Sequence, residues 1–290
     1  MSNPPADPVP SIREADATGE VAALYDDIRS TLGVPVVNLI WRHLAMFPGG
    51  LDWAWLALKP LYASGAINSE AAALRDRLEV PTLPGLTGPA LSAVGLTPDD
   101  IKQIDMILAS YEQSNAMNII ALGALAAYLN GTGAPQASVS DIPASAPQAS
   151  VSDVPSSAPP VEGTMPPLLT LDEMPPDVRA LVEALNMVGG RAEILASMYR
   201  HLANWPPYLG LISALVTSVD KDGRLEPVIL GVVAEGRRRA SRLAGALAIP
   251  DRCLKASVED NMRDALNRFI DGPIGKMIAV VPLIKQAMPN

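Results

Sequence analysis

An eight-residue motif occurs twice in this chain, and the second copy begins 158 residues after the first. Residues 41–48 read WRHLAMFP, and residues 199–206 read YRHLANWP. Residues 20–24 and 177–181 align at an offset shorter by one residue. Several segment pairs separated by nearly the same number of residues are typical of a duplicated unit, so the chain is predicted to contain two copies of one fold. Apolar positions further along match at the offset of 158 as well: Ile104 with Met262, Leu108 with Leu266, Tyr111 with Phe269, and Leu122 with Val280.

The stretch between the two copies has a different composition. Residues 135–141 read PQASVSD, and the same letters recur at 147–153. Proline every few residues blocks helix formation, and the segment has too few apolar side chains to form a core. The predicted domain organisation is a first helical repeat at 1–130, a disordered Pro/Ser/Ala-rich linker at 131–166, and a second helical repeat at 167–290.

Apolar residues within the repeats follow a helical period. Between Val21 and Leu32 they recur along one face, with charged residues turned away. A long helix is expected to start after Thr97, where an N-cap residue precedes Pro and two Asp, and to run to about Leu129. No segment alternates as a strand does. The predicted fold class is all-α, with two tandem helical repeats packed as an intramolecular pseudo-dimer.

Composition excludes several functional classes. The net charge of −9 has the wrong sign for a nucleic-acid partner. The most apolar run, residues 117–128, is too short to cross a bilayer, so no membrane partner is expected. The single cysteine, Cys253, excludes an intramolecular disulfide and a redox pair. The N-terminal residues lack the pattern of a signal peptide, and we therefore expect a cytoplasmic protein.

The two histidines, His43 and His201, occupy the same position in the two copies of the motif. They could form a metal or acid–base site, but no third ligand stands near them, and a locally bonded histidine kept from the duplicated ancestor is the alternative. No metal or cofactor is expected. Arg42 and Arg200 are matched in the same way. Each could bind a substrate carboxylate or pair with an acidic residue of a neighbouring helix.

Two asparagines, Asn115 and Asn118, interrupt the apolar surface of the predicted long helix. An amide in a buried helix is unfavourable unless it finds hydrogen-bond partners. Such a residue therefore either serves a binding site or bonds to a neighbouring helix, and the sequence leaves both roles open.

Several short runs in order resemble the group I 2-haloacid dehalogenase family. They are LYDDIR at 24–29, Val-Pro at 34–35, the segment 42–49, and LANWP at 202–206 with the region of Asn115. The resemblance covers both repeats and not the linker. Residues 20–35 are also similar to helical proteins of the alkylhydroperoxidase or carboxymuconolactone decarboxylase type, whose cysteine pair this chain lacks.

The resemblance to the dehalogenases implies a site between the repeats, in which an Asp acts as general base on a water and an Asn helps to hold that water. Asn115 matches the family Asn, and Ser197 matches the residue before the Asp. Met198 stands at the Asp position itself. A thioether cannot take a proton from water. Glu193 lies four residues before Ser197, one helical turn away, and is the candidate replacement base.

The same resemblance places Val36 and Leu39 where the family has pocket aromatics, and Met198, Tyr199 and Arg42 are expected to bind substrate with them. The implied activity is hydrolytic removal of halide from a small 2-haloalkanoic acid. The alternative is a non-catalytic protein that binds a small organic acid or acts as a helical interaction scaffold. A homodimer of the whole chain stays open.

Overall fold

The computed structural model describes residues 9–132 and 159–289. The first of these regions has a short 3-10 turn at Glu14–Asp16 and six helices. These helices are α1 (Gly19–Leu32), α2 (Leu39–Leu44), α3 (Gly50–Ala63), α4 (Ala66–Arg75), α5 (Gly88–Ala93) and α6 (Pro98–Leu129).

The second region also contains six α-helices, with a 3-10 turn at Ala244–Ala246 and a π-helical turn at Ile270–Ile274. The described residues form no strand, so the predicted all-α class is confirmed. The helices are α7 (Pro176–Met187), α8 (Ser197–Leu202), α9 (Pro206–Lys221), α10 (Leu225–Ser241), α11 (Ala256–Phe269) and α12 (Gly275–Lys285).

The helix bounds recur at the offset of the sequence motif. Helices α2 and α8 both have six residues and begin 158 residues apart. Helices α6 and α11 begin at the same separation, but the second copy is broken at Ile270–Ile274. There Gly272 leaves helical geometry, with φ −100° and ψ −114°, and Pro273 has no N–H to donate. A pseudo-two-fold relation between the halves stays a prediction.

Helix α6 passes through two hydrophobic cores. Its C-terminal half packs with α1 to α4 and with α11. Its N-terminal half packs with α7, α8, α9 and α12. Each core therefore combines helices from before and after residues 133–158, and neither half of the chain buries its apolar surface alone.

The start of α6 is fixed by a capping box. The hydroxyl of Thr97 accepts from the N–H of Asp100 at 3.2 Å, and the Asp100 carboxylate accepts from the N–H of Thr97 at 2.8 Å. The same carboxylate accepts from the indole of Trp205 at 2.7 Å. The predicted start and end of this helix are confirmed, and the cap also ties α6 to the second repeat motif.

Polar side chains in the buried middle of α6 bond to the helices that carry the repeat motif. Asn118 Oδ1 accepts from the indole N–H of Trp41 at 3.0 Å. The hydroxyl of Tyr111 and Nδ1 of His201 share a hydrogen bond of 2.9 Å. Asn118 therefore has the helix–helix role that the sequence left open, and α2 and α8 are both held to α6.

The end of the predicted linker contacts the first repeat. The N–H of Val161 donates to the carbonyl of Gly33 at 2.9 Å. Residues 133–158, with the tandem PQASVSD segment, lie outside the described residues, and the domain boundaries stay predictions. Within 9–132 and 159–289, no helix is both long and apolar enough to cross a membrane.

Helices α6 and α10 meet closely at a glycine. A Cβ added at Gly123 would lie 2.7 Å from the Cβ of Ala240, which cannot move without its helix. Overpacking of this kind costs about 1–3 kcal/mol, and better helix propensity returns at most about 1 kcal/mol. We expect Gly123→Ala to lower the free energy of unfolding by about 1 kcal/mol in urea titrations. The control is Gly231→Ala on α10, where the added Cβ meets nothing within 4 Å and stability should rise slightly. Equal effects of the two changes would contradict this packing.

Acid should destabilise the fold through His201. Burial lowers the pKa of His201 to about 3, and the charges of Arg42 and Arg200 act in the same direction. The unfolded histidine has a pKa of about 6.5, so between these values the unfolded chain binds a proton that the folded chain does not. The histidine's contribution is therefore complete above pH 6.5 and is lost as pH falls toward 3.

Between pH 7 and pH 4 we expect the free energy of unfolding to fall by about 3 kcal/mol less in His201→Gln than in the wild type. The half-buried His43 is the matched control, and His43→Gln should flatten the profile less. Urea titrations at four pH values measure both. A His201→Gln profile parallel to the wild type would contradict the buried neutral histidine.

Candidate functional site

A small pocket lies where the starts of α2 and α8 face the middle of α6 and the π-helical turn. Its cavity volume is about 30 Å³, room for about two water molecules, so the pocket is small. The walls come from residues 38–40, residues 195–198, Tyr111 and Asn115 of α6, and residues around the π-helical turn. The pocket is therefore built from both halves of the chain.

Matched positions of the two repeats face this pocket with different side chains. Tyr111 corresponds to Phe269, and Asn115 corresponds to Pro273, each at the offset of 158 residues. The first repeat therefore contributes a hydroxyl and an amide where the second contributes a phenyl ring and a proline. The polar groups of the pocket are therefore unevenly divided between the two described regions.

Ser197 is backed by a buried cation. Arg42 is 3% exposed, and its guanidinium donates to the Ser197 hydroxyl oxygen at 3.2 Å and to the carbonyl of Val37 at 3.1 Å. The serine oxygen accepts from Arg42, and the Ser197 side chain also has a hydrogen-bond interaction with Tyr111, so a carboxylate bound at Ser197 shares this hydroxyl with the tyrosine. A donor supported by a positive charge suits an anionic ligand group such as a carboxylate.

Asn115 presents an acceptor. It is 5% exposed, and its amide N–H donates to the carbonyl of Tyr111 at 2.8 Å, one turn back along α6. This bond fixes the amide orientation and leaves the Oδ1 atom for other donors. Because Asn115 lines the pocket, a bound water can donate one hydrogen to this oxygen.

The Tyr111–His201 pair behind the pocket stays neutral near pH 7. Burial raises the pKa of the Tyr111 hydroxyl, although Arg42 opposes that shift. Burial also lowers the pKa of His201 to about 3, with Arg42 and Arg200 adding to the effect. A histidine with such a pKa is a weak base near neutral pH, so this pair positions neighbouring groups better than it removes protons.

Asn38 lines the pocket, and its side-chain oxygen has no hydrogen-bond partner. It is 6% exposed, and its amide N–H donates to the hydroxyl of Ser114 at 3.0 Å. Its Oδ1 atom has no hydrogen-bond partner. Asn38 is also the N-cap residue of α2, yet its side chain makes no capping bond. A forgone cap costs about 1 kcal/mol, and an unpaired buried acceptor about 1–3 kcal/mol, so this arrangement is unfavourable for stability alone.

The loop before α8 forms one wall and is held by buried polar groups. Lys276 is completely buried, and its Nζ donates to the carbonyls of Asn186 and Gly190 at 2.7 and 2.8 Å. Asn186 donates to the carbonyl of Ala192 at 3.0 Å and accepts from the N–H of Ala196 at 3.3 Å. The wall next to Ser197 is therefore fixed from several directions.

The pocket contains no carboxylate among its lining residues in the described regions. Met198 does line it and is fully buried. Glu193 is exposed and lies in a turn, because α8 begins only at Ser197. The expectation that Glu193 and Ser197 share a helix face is wrong. The physical reason is that Asn186 bonds backbone groups of residues 192 and 196 and holds this segment out of helical geometry.

The other predicted substrate contacts divide into two groups. Leu39 lines the pocket together with Met198. Val36 and Tyr199 are buried in the hydrophobic cores instead, and Arg42 lies behind Ser197. Val36 and Tyr199 do not line the pocket, so the direct substrate contacts that were expected of them are not seen there. The pocket has lining residues from both described regions, and three of the predicted contacts lie outside its lining.

The sequence reasoning missed Asn38, Tyr111 and Phe269 as pocket residues. Tyr111 and Phe269 already stood out as aligned positions of the repeat, and the spacing to Asn115 by one helical turn could have indicated Tyr111. Asn38 carried no such signal, since an asparagine before an apolar helix is normally interpreted as a cap.

Each histidine bonds to a residue distant in the sequence, so the expected local bond is not what the structure shows. His43 Nδ1 donates to the carbonyl of Pro10 at 2.7 Å, and its ring stacks on Phe269 with centroids 5.7 Å apart. His201 is bonded to Tyr111. Within the parts of the chain that the structure describes, no group of three or more His, Cys, Asp or Glu side chains could hold a metal ion.

Comparison with characterised proteins gives sequence relatives of one kind. No protein-family model matches the chain. A configuration-inverting 2-haloacid dehalogenase of Alcaligenes xylosoxydans xylosoxydans is 29% identical over 221 residues, which cover 73% of this chain and 69% of that protein. An (R)-2-haloacid dehalogenase of Pseudomonas putida is 28% identical over 37% of each chain. A configuration-inverting 2-haloacid dehalogenase of Pseudomonas sp. (strain 113) is 29% identical over 40% of this chain and 38% of that protein.

Solved structures give the same result for the fold. A D-2-haloacid dehalogenase in complex with L-LA superposes with a TM-score of 0.72 at 18% identity, and the match covers 96% of both chains. A mutant D-2-haloacid dehalogenase with D-2-CPA gives 0.68 at 17% identity and the same coverage. At this identity, the structures show the fold alone. The resemblance predicted from the short motifs is thus confirmed: the chain is a sequence relative of the configuration-inverting 2-haloacid dehalogenases and has their all-helical fold.

Proposed function

We propose that this chain is a 2-haloacid dehalogenase-type protein that takes a small 2-haloalkanoic acid into the pocket between its two halves. The observation that carries the proposal is the pairing, in one pocket, of the Arg42-backed Ser197 hydroxyl with the Asn115 amide oxygen. The first group suits a carboxylate and the second suits a water, which are the two species that hydrolytic dehalogenation must hold. The sequence relatives support the same reaction class.

The substrate carboxylate binds at Ser197 in this proposal. The serine O–H donates to a carboxylate oxygen, and Arg42 strengthens that donor through its own bond to the serine oxygen. Leu39, Met198 and Phe269 supply apolar walls for the C2 substituent and the halogen. The cavity, of about 30 Å³, is far smaller than a typical ligand pocket and therefore favours a short-chain acid over a long one.

The reaction is an in-line displacement at C2. The oxygen of water forms a bond to C2 while the carbon–halogen bond breaks, and the halide leaves with its electron pair. The water gives up a proton to a base, and the product is a 2-hydroxy acid of inverted configuration. Asn115 Oδ1 orients the water by accepting one of its hydrogens, but an amide does not remove that proton.

The missing step is proton removal, because Met198 stands where the resemblance places an Asp. Loss of a general base typically lowers a rate by about 10²–10⁴-fold. The absence of a carboxylate from the described lining residues also favours a second candidate function. In that candidate, the protein binds a small organic acid at the same pocket without turning it over, or keeps the fold as an interaction scaffold.

Restoring a carboxylate tests the proposal directly. We expect Met198→Asp to release chloride from 2-chloropropionate about 10²–10⁴ times faster than the wild type, for one enantiomer, since the new carboxylate can accept the proton of the bound water. Chloride is measured for both enantiomers. The matched control is Met277→Asp, which places a carboxylate on another wall of the same pocket and should give no gain.

The outcomes separate the candidate functions. No chloride from a folded Met198→Asp protein, judged by circular dichroism, would retire dehalogenation and leave binding or scaffolding. Chloride from the wild type would retire the binding-only candidate. In that case Glu193→Gln tests the proposed replacement base, and a rate loss of at least about tenfold would support it, although Glu193 reaches the pocket only if residues 192–196 rearrange.

Two further expectations, on cellular location and on oligomeric state, accompany this proposal. A cytoplasmic location rests on the single cysteine, Cys253, since proteins of oxidising compartments usually carry disulfides. A homodimer of the whole chain is a further expectation, which sedimentation of the purified protein addresses. Neither is needed for the pocket, because both of its walls come from one chain.

A further inference from the structure

We propose that Asn38 is a specificity-determining residue that selects ligands with a hydroxyl at C2, so that the pocket retains 2-hydroxy acids more tightly than acids without that group. The inference rests on the proposed ligand site and names its preferred ligand class. It concerns binding, and it does not depend on whether the chain turns over a haloacid.

The unpaired atom of Asn38 is a hydrogen-bond acceptor. Its amide N–H is already used, since it donates to the hydroxyl of Ser114 on α6. The bond to Ser114 holds the side chain against α6, so the amide does not turn back to cap α2. The Oδ1 atom is left without a partner in a residue that is 6% exposed and lines the pocket. The atom itself is buried, so a ligand donor satisfies it only by entering between Asn38 and its neighbours in the pocket wall.

The chemistry of the two ligand classes differs at that atom. A 2-hydroxy acid carries an O–H on C2 and can donate to the Asn38 oxygen. A 2-haloacid carries a halogen at the same position, which has no hydrogen to donate. A site with a buried acceptor discriminates against a ligand that leaves this acceptor unpaired.

The carboxylate of the ligand and its C2 substituent therefore use different groups. Ser197, at the start of α8, is the donor for the carboxylate, and Asn38, at the start of α2, is the acceptor for the hydroxyl. Asn115 is a second acceptor, on α6, and is assigned to water in the proposed function. Since the hydroxyl contact is specific to Asn38, its loss should change selectivity and not only affinity.

Titration calorimetry with lactate and propionate tests the proposal, because these acids differ only in the C2 hydroxyl and neither is hydrolysed. We expect the wild type to bind one lactate enantiomer about tenfold or more tightly than propionate. In Asn38→Ala the ratio should fall to within about twofold of unity. The matched control is Asn68→Ala on α4, because Asn68 also has a buried, unpaired Oδ1 but lies outside the pocket. This control should keep the wild-type ratio.

A second variant covers the case in which Asn38→Ala does not fold. Ser114→Ala keeps the Asn38 amide and removes the bond that orients it, so the ratio should fall by about threefold or more. An unchanged ratio in the Asn38 and Ser114 variants would overturn the proposal. An equal loss of affinity for lactate and propionate would also overturn it, because the Asn38 amide would then contact the carboxylate that both acids share, or a water. Failure of the wild type to bind either acid would also overturn it.

Halide release on the same proteins separates the two proposals. Chloride release without any preference for lactate over propionate would overturn only the assignment of Asn38. A preference for lactate that depends on Asn38, without chloride release from Met198→Asp, would support the assignment and retire the dehalogenase reaction.

Discussion

The structure depends on burying helix α6 along most of its length. Residues 114–127 are all buried, and the helix connects the two hydrophobic cores. A helix buried on every side needs partners for each polar side chain that it carries. Asn118 bonds Trp41, Ser114 accepts from Asn38, and Tyr111 bonds His201. These contacts hold both copies of the repeat motif to one helix, and the pocket forms where the copies meet.

The pocket is asymmetric because the two segments related by the offset of 158 residues differ in structure. Helix α6 is continuous through Asn115, whereas the matching segment carries Gly272 and Pro273 and forms a π-helical turn. π-helical turns occur frequently at functional sites. The intact helix supplies the amide and the hydroxyl, and the broken one supplies apolar walls. In the proposed function, Met198 is the side chain that most limits chemistry, since it stands where the resemblance places an Asp.

The sequence predicted most of the architecture and part of the site. The helical period predicted the all-α class and the capping signal at Thr97 predicted the bounds of α6, since both are local patterns. Asn115, Ser197, Leu39 and Met198, which a family resemblance indicated, line the pocket, and their functional roles stay predictions. The pairing of Asn38 with Ser114 joins residues 76 positions apart, and local patterns carry no information about such a contact. Glu193 was misplaced because its helical spacing was extrapolated across a turn that Asn186 stabilises through tertiary hydrogen bonds.

The central claim is that a small organic acid binds between the two halves with its carboxylate at Ser197. The most direct measurement is a crystal structure of the protein with 2-bromopropionate, in which anomalous scattering locates the bromine. The account predicts a bromine peak beside Met198 and a carboxylate oxygen about 3 Å from the Ser197 hydroxyl. A ligand bound instead in the surface groove lined by Arg75 and Lys102, with this pocket empty, would contradict the account.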